Sequence, residues 1–204
     1  PAKIRMNIFI NDDVFAVFPV LETPRLVLRR FMHSDAEALF KIRSDKRVLQ
    51  YMDTHPHYSI ADSDAMIRKI ISSYNDGSGL NWVIEETSTG KMIGYVCFHR
   101  LMRESSRAEI GYTLSPDKWG KGFAAEAVKR LIEFGFGELN LHSIDANVNP
   151  DNEASIRLLD KIGFKKEAHF RENYLFNGIF LDSAIYCLIK SDVSLSENKT
   201  SFMS

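Results

Sequence analysis

Residues Trp119-Gly120-Lys121-Gly122-Phe123-Ala124-Ala125 stand between an apolar, strand-like run ending at Leu114 and an amphipathic run that continues to about Gly135. Two glycines directly before a helix constrain what the chain can build there, because glycine lets backbone amides crowd a ligand with no Cβ in the way. Ala124, Ala127, Val128, Leu131, Ile132 and Gly135 recur at helical spacing, with Glu126, Lys129, Arg130 and Glu133 on the other side. The pattern predicts a helix with one buried stripe and a supporting pair between Glu126 and Arg130. The first amides of such a helix have no internal partner and carry the positive end of its dipole, so a glycine-rich entry suits an anion. The plainer alternative is an ordinary tight turn. Two familiar phosphate loops are excluded. The triphosphatase loop needs Lys and then Ser or Thr after its last glycine, where this chain has Phe123. The dinucleotide fingerprint finds its third small residue in Ala125 but lacks the opening βαβ repeat.

The flanking blocks extend this stretch. Ala108-Glu109-Ile110-Gly111-Tyr112-Thr113-Leu114, then Trp119 to Ala127, then Asn149-Pro150-Asp151-Asn152-Glu153-Ala154-Ser155 ending in Ile162-Gly163-Phe164, together resemble the GNAT acetyltransferases. Within them the nearest likeness is to the ribosomal-protein N-terminal (alanine/serine) acetyltransferases, whose first strand Leu21-Glu22-Thr23-Pro24-Arg25-Leu26-Val27-Leu28-Arg29 resembles. The likeness runs from about Val20 to Lys190 with the blocks in family order. It implies an α/β (α+β) GNAT fold, a central mixed but mostly antiparallel sheet of about seven strands flanked by about four helices. It also implies acetyl-CoA as co-substrate, no metal, and an amine acceptor.

Composition bounds the remaining choices. The chain of 204 residues is long enough for one domain with a substantial core, read as an arm or extra strand at 1–19, the catalytic domain at 20–190 and a polar tail at 191–204. A net charge of -1 argues against general nucleic-acid electrostatics. Cys97 and Cys187, each inside an apolar run, read as small buried hydrophobes in a reducing compartment. No apolar run approaches the roughly 20 residues that cross a bilayer, and a cytoplasmic monomer or homodimer is expected. His55-Pro56-His57 has no Cys or carboxylate cluster beside it and reads as a loop.

Along the chain, Leu21 to Phe31 reads as one strand, and Ser34 with Glu37 as a capping box for the next helix. A second helix runs from Ile60 or Asp62 to Tyr74. Strands follow at Leu80 to Glu86, Met92 to Arg100 and Arg107 to Leu114, then the glycine-entered helix and a strand from Ser143 to Val148. A helix from Asn152 ends at Gly163, and a last hairpin turns at Asn177-Gly178.

Acetyl transfer to an amine requires a held cofactor, a polarised carbonyl and an uncharged amine. Backbone amides from Gly120 through Lys121, Gly122, Phe123, Ala124 and Ala125 would hold the pyrophosphate. The resemblance implies that the strand ending at Thr113 and Leu114 pairs with the pantetheine arm and that its amide polarises the thioester. Trp119 stands where the family usually has Gln or Arg. Asn152 either caps its helix or binds pantetheine, and Ser155 either packs or protonates the leaving thiolate. Many GNAT enzymes use a tyrosine for that step at the position of Leu159. Glu109 is the candidate base or else a salt-bridge partner of Arg107 or of a neighbouring strand, with Asn147 and Tyr174 expected nearby. The acceptor is a protein N-terminus or a small amine such as a polyamine, amino acid or antibiotic. A silent acyl-CoA-binding module is the reading from another class.

Overall fold

The structure, a computed structural model, describes residues 9–193. The ends of the expected arm and tail, 1–8 and 194–204, lie outside the described residues. One sheet of eight strands runs in the order β1-β2-β3-β4-β5-β6-β8-β7, antiparallel throughout except for the β5·β6 pair. The strands are β1 (Leu21–Glu22), β2 (Leu26–Arg29), β3 (Leu80–Glu86), β4 (Lys91–Met102), β5 (Arg107–Leu114), β6 (Ser143–Val148), β7 (Lys165–Phe176) and β8 (Ile179–Ile189). The helices are α1 (Ala36–Arg43), α2 (Lys46–Leu49), α3 (Ile60–Asn75), α4 (Phe123–Gly137) and α5 (Glu153–Ile162).

The eighth strand corrects the expected count of about seven. The stretch from Leu21 is a hairpin, because Thr23 Oγ1 takes the Leu26 amide at 2.9 Å and Pro24 has no amide for a ladder. The capping box is also displaced. A 3-10 turn at His33–Asp35 precedes α1, and the Asp35 carboxylate, rather than Glu37, accepts the Met32 amide at 2.8 Å. The helix expected from Ile60 or Asp62 is α3, and the structure shows a capping box at its start, formed by Ser59 and Asp62. The last hairpin turns through Asn177 and Gly178, with φ of 50° and 78°, the two left-handed residues that a type I′ turn requires.

The sheet is covered on both faces, so Trp82, Val83 and Ile84 are all fully buried in succession. On one face Trp82, Val96 and Phe98 pack against Val128, Leu131 and Phe134 of α4. On the other, Val83 and Tyr95 join Phe31, Leu39 and Ile67 beneath α1 and α3. The stretch before β1 docks against the larger core. Ile10 is buried in it, Asn11 N donates to Leu139 O at 3.1 Å, and the Trp82 indole donates to Pro19 O at 2.7 Å. No described helix is long and apolar enough to cross a membrane.

Candidate active site

β5 and β6 pair in parallel at Arg107↔Ser143, Ala108↔Ile144 and Glu109↔Asp145, then part, although β5 continues to Leu114 and β6 to Val148. Arg107 pins the closed end, its Nε and Nη2 donating to the Asp145 carboxylate at 2.8 and 2.7 Å. Of the two ion-pair alternatives for Glu109, the one with Arg107 does not form and the one with the neighbouring strand β4 does. Beyond that clamp, Ile110 to Leu114 on one strand and Ala146 to Val148 on the other line a cleft of about 720 Å³. Backbone groups left without a neighbouring strand must find another partner, and an extended ligand can supply one.

The glycine turn closes one end of the cleft. Gly120 and Gly122 sit in the left-handed region, with φ of 70° and 81°. Gly122 caps α4 without any side-chain hydrogen bond, so the amides of Phe123, Ala124 and Ala125 have no partner within the helix. Trp119, Gly120, Gly122, Phe123, Ala124 and Ala125 all line the cleft, whereas the Lys121 ammonium turns back to donate to Asp117 O at 2.8 Å. The Trp119 indole donates to Leu114 O at 3.0 Å, tying the end of β5 to the turn. The β1–β2 hairpin braces the same turn. Arg25 Nη1 donates to Lys121 O at 3.0 Å, and Glu126 accepts from Thr23 Oγ1 at 2.6 Å while pairing with the Arg25 guanidinium at 2.6 Å. Glu126 is thus engaged away from Arg130, which reaches Glu133 and Glu138 instead.

Ser155 approaches the cleft from α5, and its hydroxyl lies 2.6 Å from the Tyr112 hydroxyl. Burial, against the contact with Ser155, pushes the Tyr112 phenol up to about 12. Tyr112 thus brings a phenolic hydroxyl into a cleft wall where Leu159 has none. Strand alternation puts Tyr112 on the face opposite Glu109 and towards α5, a signal present in the sequence but readable only once α5 is known to pack there. Asn152 takes the capping role, its Oδ1 accepting the Ser155 amide at 3.1 Å, and it lines the cleft together with Asn147.

Glu109 lies one side chain back from the cleft. His99 Nε2 is 3.1 Å from one carboxylate oxygen, Arg100 donates to the other at 3.2 Å, and His99 is the member of this group that lines the cleft. Burial raises the Glu109 carboxyl, but His99 and Arg100 outweigh it and hold it below the usual range. Contact with the Cys97 sulfur and then with Glu109 draws the His99 imidazole upward against burial. Cys97 itself is a free buried thiol, as is Cys187. The far end of the cleft is walled by Arg47, Gln50, Tyr51 and Met52 from α2 and its following loop, together with Tyr95. Tyr174 stands outside this lining and bonds Asp53, and burial followed by that carboxylate pushes its phenol up to about 12.

The family model of the acetyltransferase (GNAT) domain matches residues 25–165. An uncharacterised N-acetyltransferase of Bacillus subtilis, YoaA, is 40% identical over 85% of this chain and 98% of its own length. A candidate ribosomal N-acetyltransferase of the same organism, YdaF, is 28% identical over 82% of this chain and 92% of its own. The spermidine N-acetyltransferase of Vibrio cholerae, solved in complex with CoA and spermine, superposes with a TM-score of 0.74 at 25% identity, covering 83% of this chain and 98% of that one.

Proposed function

The chain belongs to the GNAT acetyltransferase family and is an N-acetyltransferase, and from that premise we propose that it moves the acetyl group of acetyl-CoA to the α-amine of a protein N-terminus. The observation that carries this reading is the parting of β5 from β6 in front of the start of α4, whose first amides no side chain caps. The residues present fit coenzyme A. The left-handed glycines leave the first amides of α4 clear for a pyrophosphate, and a Cβ built at Gly120 meets nothing within 4 Å, so the approach to the turn is open. Lys161 adds positive charge to the lining, while the Lys118 ammonium is paired with Glu86. The β5 edge at Thr113 and Leu114 would hold the extended arm as an added strand and direct an amide at the thioester oxygen.

Acetyl-CoA, when bound, supplies the activated acetyl group. The protein's own groups manage the protons. Tyr112 remains protonated at neutral pH and, with Ser155 at 2.6 Å, is placed to protonate the departing sulfur. That help is modest in size, because a thiolate with a pKa near 8.5 leaves readily. The neutral form of His99, backed by Glu109 and made available as pH rises because Cys97 and Glu109 draw the imidazole upward, would receive the amine's proton directly or through water. An α-amine, pKa near 8, is roughly 10% neutral at pH 7, against a few parts in ten thousand for a lysine-like amine, so a weakly driven relay suits an N-terminal acceptor better.

The likeness to the Vibrio spermidine enzyme supports a second reading, acetylation of a polyamine. Calorimetry with coenzyme A, followed by turnover of acetyl-CoA against peptides beginning with Ala or Ser and against spermidine, distinguishes the readings. Peptide turnover exceeding spermidine turnover is expected. The reverse order would establish the polyamine reading, and coenzyme A binding without turnover of any amine would leave a silent acyl-CoA-binding module.

A further inference from the structure

Arg43 is 5% exposed, yet none of its side-chain contacts is with a carboxylate. Its Nη2 donates to Thr54 Oγ1 at 2.7 Å, its Nη1 to Tyr95 Oη at 3.4 Å and to the Met52 sulfur at 3.7 Å, and its buried Nε has no partner. Burying a guanidinium without a counter-charge is costly, so the site carries an uncancelled positive field. Nearby His57 registers that field. Burial first and the Arg43 charge second lower its imidazole, whose Nδ1 lies 2.7 Å from Ser63 Oγ.

Tyr95 and Met52 stand between this charge and the cleft. A guanidinium can only donate, so the Tyr95 oxygen must accept from it, and the phenolic hydrogen is left to point elsewhere. Tyr95 lies directly across the β4·β5 ladder from Thr113, next to the strand end assigned to the thioester. We propose that Tyr95, polarised by Arg43, donates its O–H to the carbonyl oxygen nearest the acceptor's amine, so that the enzyme selects amines bearing a neighbouring carbonyl or carboxylate. A polyamine carries ammonium groups, which have no oxygen to accept this hydrogen and are repelled by the charge behind it. This deepens the N-terminal reading of the cleft and rests on it.

The test uses the full chain with coenzyme A present and measures acceptor affinity by calorimetry, which does not depend on turnover. The probes are an Ala-initiated tetrapeptide amide and the same peptide with its first amide replaced by an (E)-alkene, which deletes the carbonyl together with the amide N–H and keeps the shape, so that the change in preference on Tyr95→Phe isolates the carbonyl contact. The parent should prefer the carbonyl peptide, and Tyr95→Phe should shrink that preference by about tenfold, the scale of one hydrogen bond. Arg43→Met should shrink it in the same direction, since the phenol then loses its fixed orientation. Melting curves identify any variant that fails to fold, and Tyr95→Phe, which removes one oxygen, provides the deciding measurement. Equal affinity of the parent for the two peptides, or an unchanged preference in Tyr95→Phe, overturns the proposal. If no amine is acetylated while the affinity ratio behaves as stated, the transferase reading fails and the role of Tyr95 stands.

Discussion

Ser155 and Tyr112 sit 2.6 Å apart, and groups that share one proton path lose their effect together. Ser155→Ala and Tyr112→Phe should each lower kcat by roughly ten- to a hundredfold, with the double variant little worse than either and coenzyme A affinity nearly unchanged. Independent losses that multiply in the double variant would assign the two hydroxyls separate tasks. Glu109 acts at the same scale through its neighbour. With the imidazole drawn upward by Cys97 and Glu109, neutral His99 accumulates as pH rises, so the rate should climb through the alkaline side of neutrality. Glu109→Gln removes one of the two upward influences, and the rising limb should move to lower pH with a smaller plateau. A limb that vanishes instead would make Glu109 the proton acceptor itself, and an unchanged profile would reduce it to an ion-pair partner.

At the scale of elements, the turn before α4 depends on backbone shape and not on side chains. Gly122→Trp forces a residue with a Cβ into the left-handed region at φ 81° and brings bulk to the mouth of the amide cradle. Coenzyme A affinity should fall more than about a hundredfold in a protein that still folds, as circular dichroism can verify. Retained affinity would place the phosphates elsewhere. Helix α5 is held by its Asn152 cap, and Asn152→Ala should cost about 1 kcal/mol, read from the urea midpoint. A midpoint shift within error would mean that water replaces the cap. Most of these elements were readable beforehand because each carries a local signal, such as Gly163 at the end of α5 or Asn177-Gly178 in the last hairpin. The β1–β2 hairpin was not, since its alternating pattern continues across Pro24 and what bends it is a contact of Thr23 with Leu26 and Glu126.

Across the whole molecule, carboxylates fasten neighbouring elements and distant ones. Glu86 takes the Lys118 ammonium at 2.7 Å and Glu126 the Arg25 guanidinium at 2.6 Å, joining parts far apart in sequence, while Glu109 holds His99 and Arg100 across the adjacent strands β4 and β5. All three carboxyls are held below their ordinary range, Glu86 chiefly by Lys118, Glu126 and Glu109 by partners that outweigh burial. Because the folded values are the lower ones, their stabilisation is complete above the usual carboxylate range and is lost as pH falls through them. Urea midpoints should stay level from neutral pH to about 5 and drop steeply below about 4. A level curve down to about pH 3 would show that these pairs contribute nothing. By itself the sequence determined the order of most elements, the glycine-entered helix and the family, because periodicity, caps and turn residues act over a few positions. Only the tertiary structure decided that β5 and β6 part, that Glu109 stands behind His99, that Tyr112 meets Ser155 and that Arg43 is buried behind Tyr95. Those relations depend on strand register and on packing between residues tens of positions apart, which no local pattern encodes.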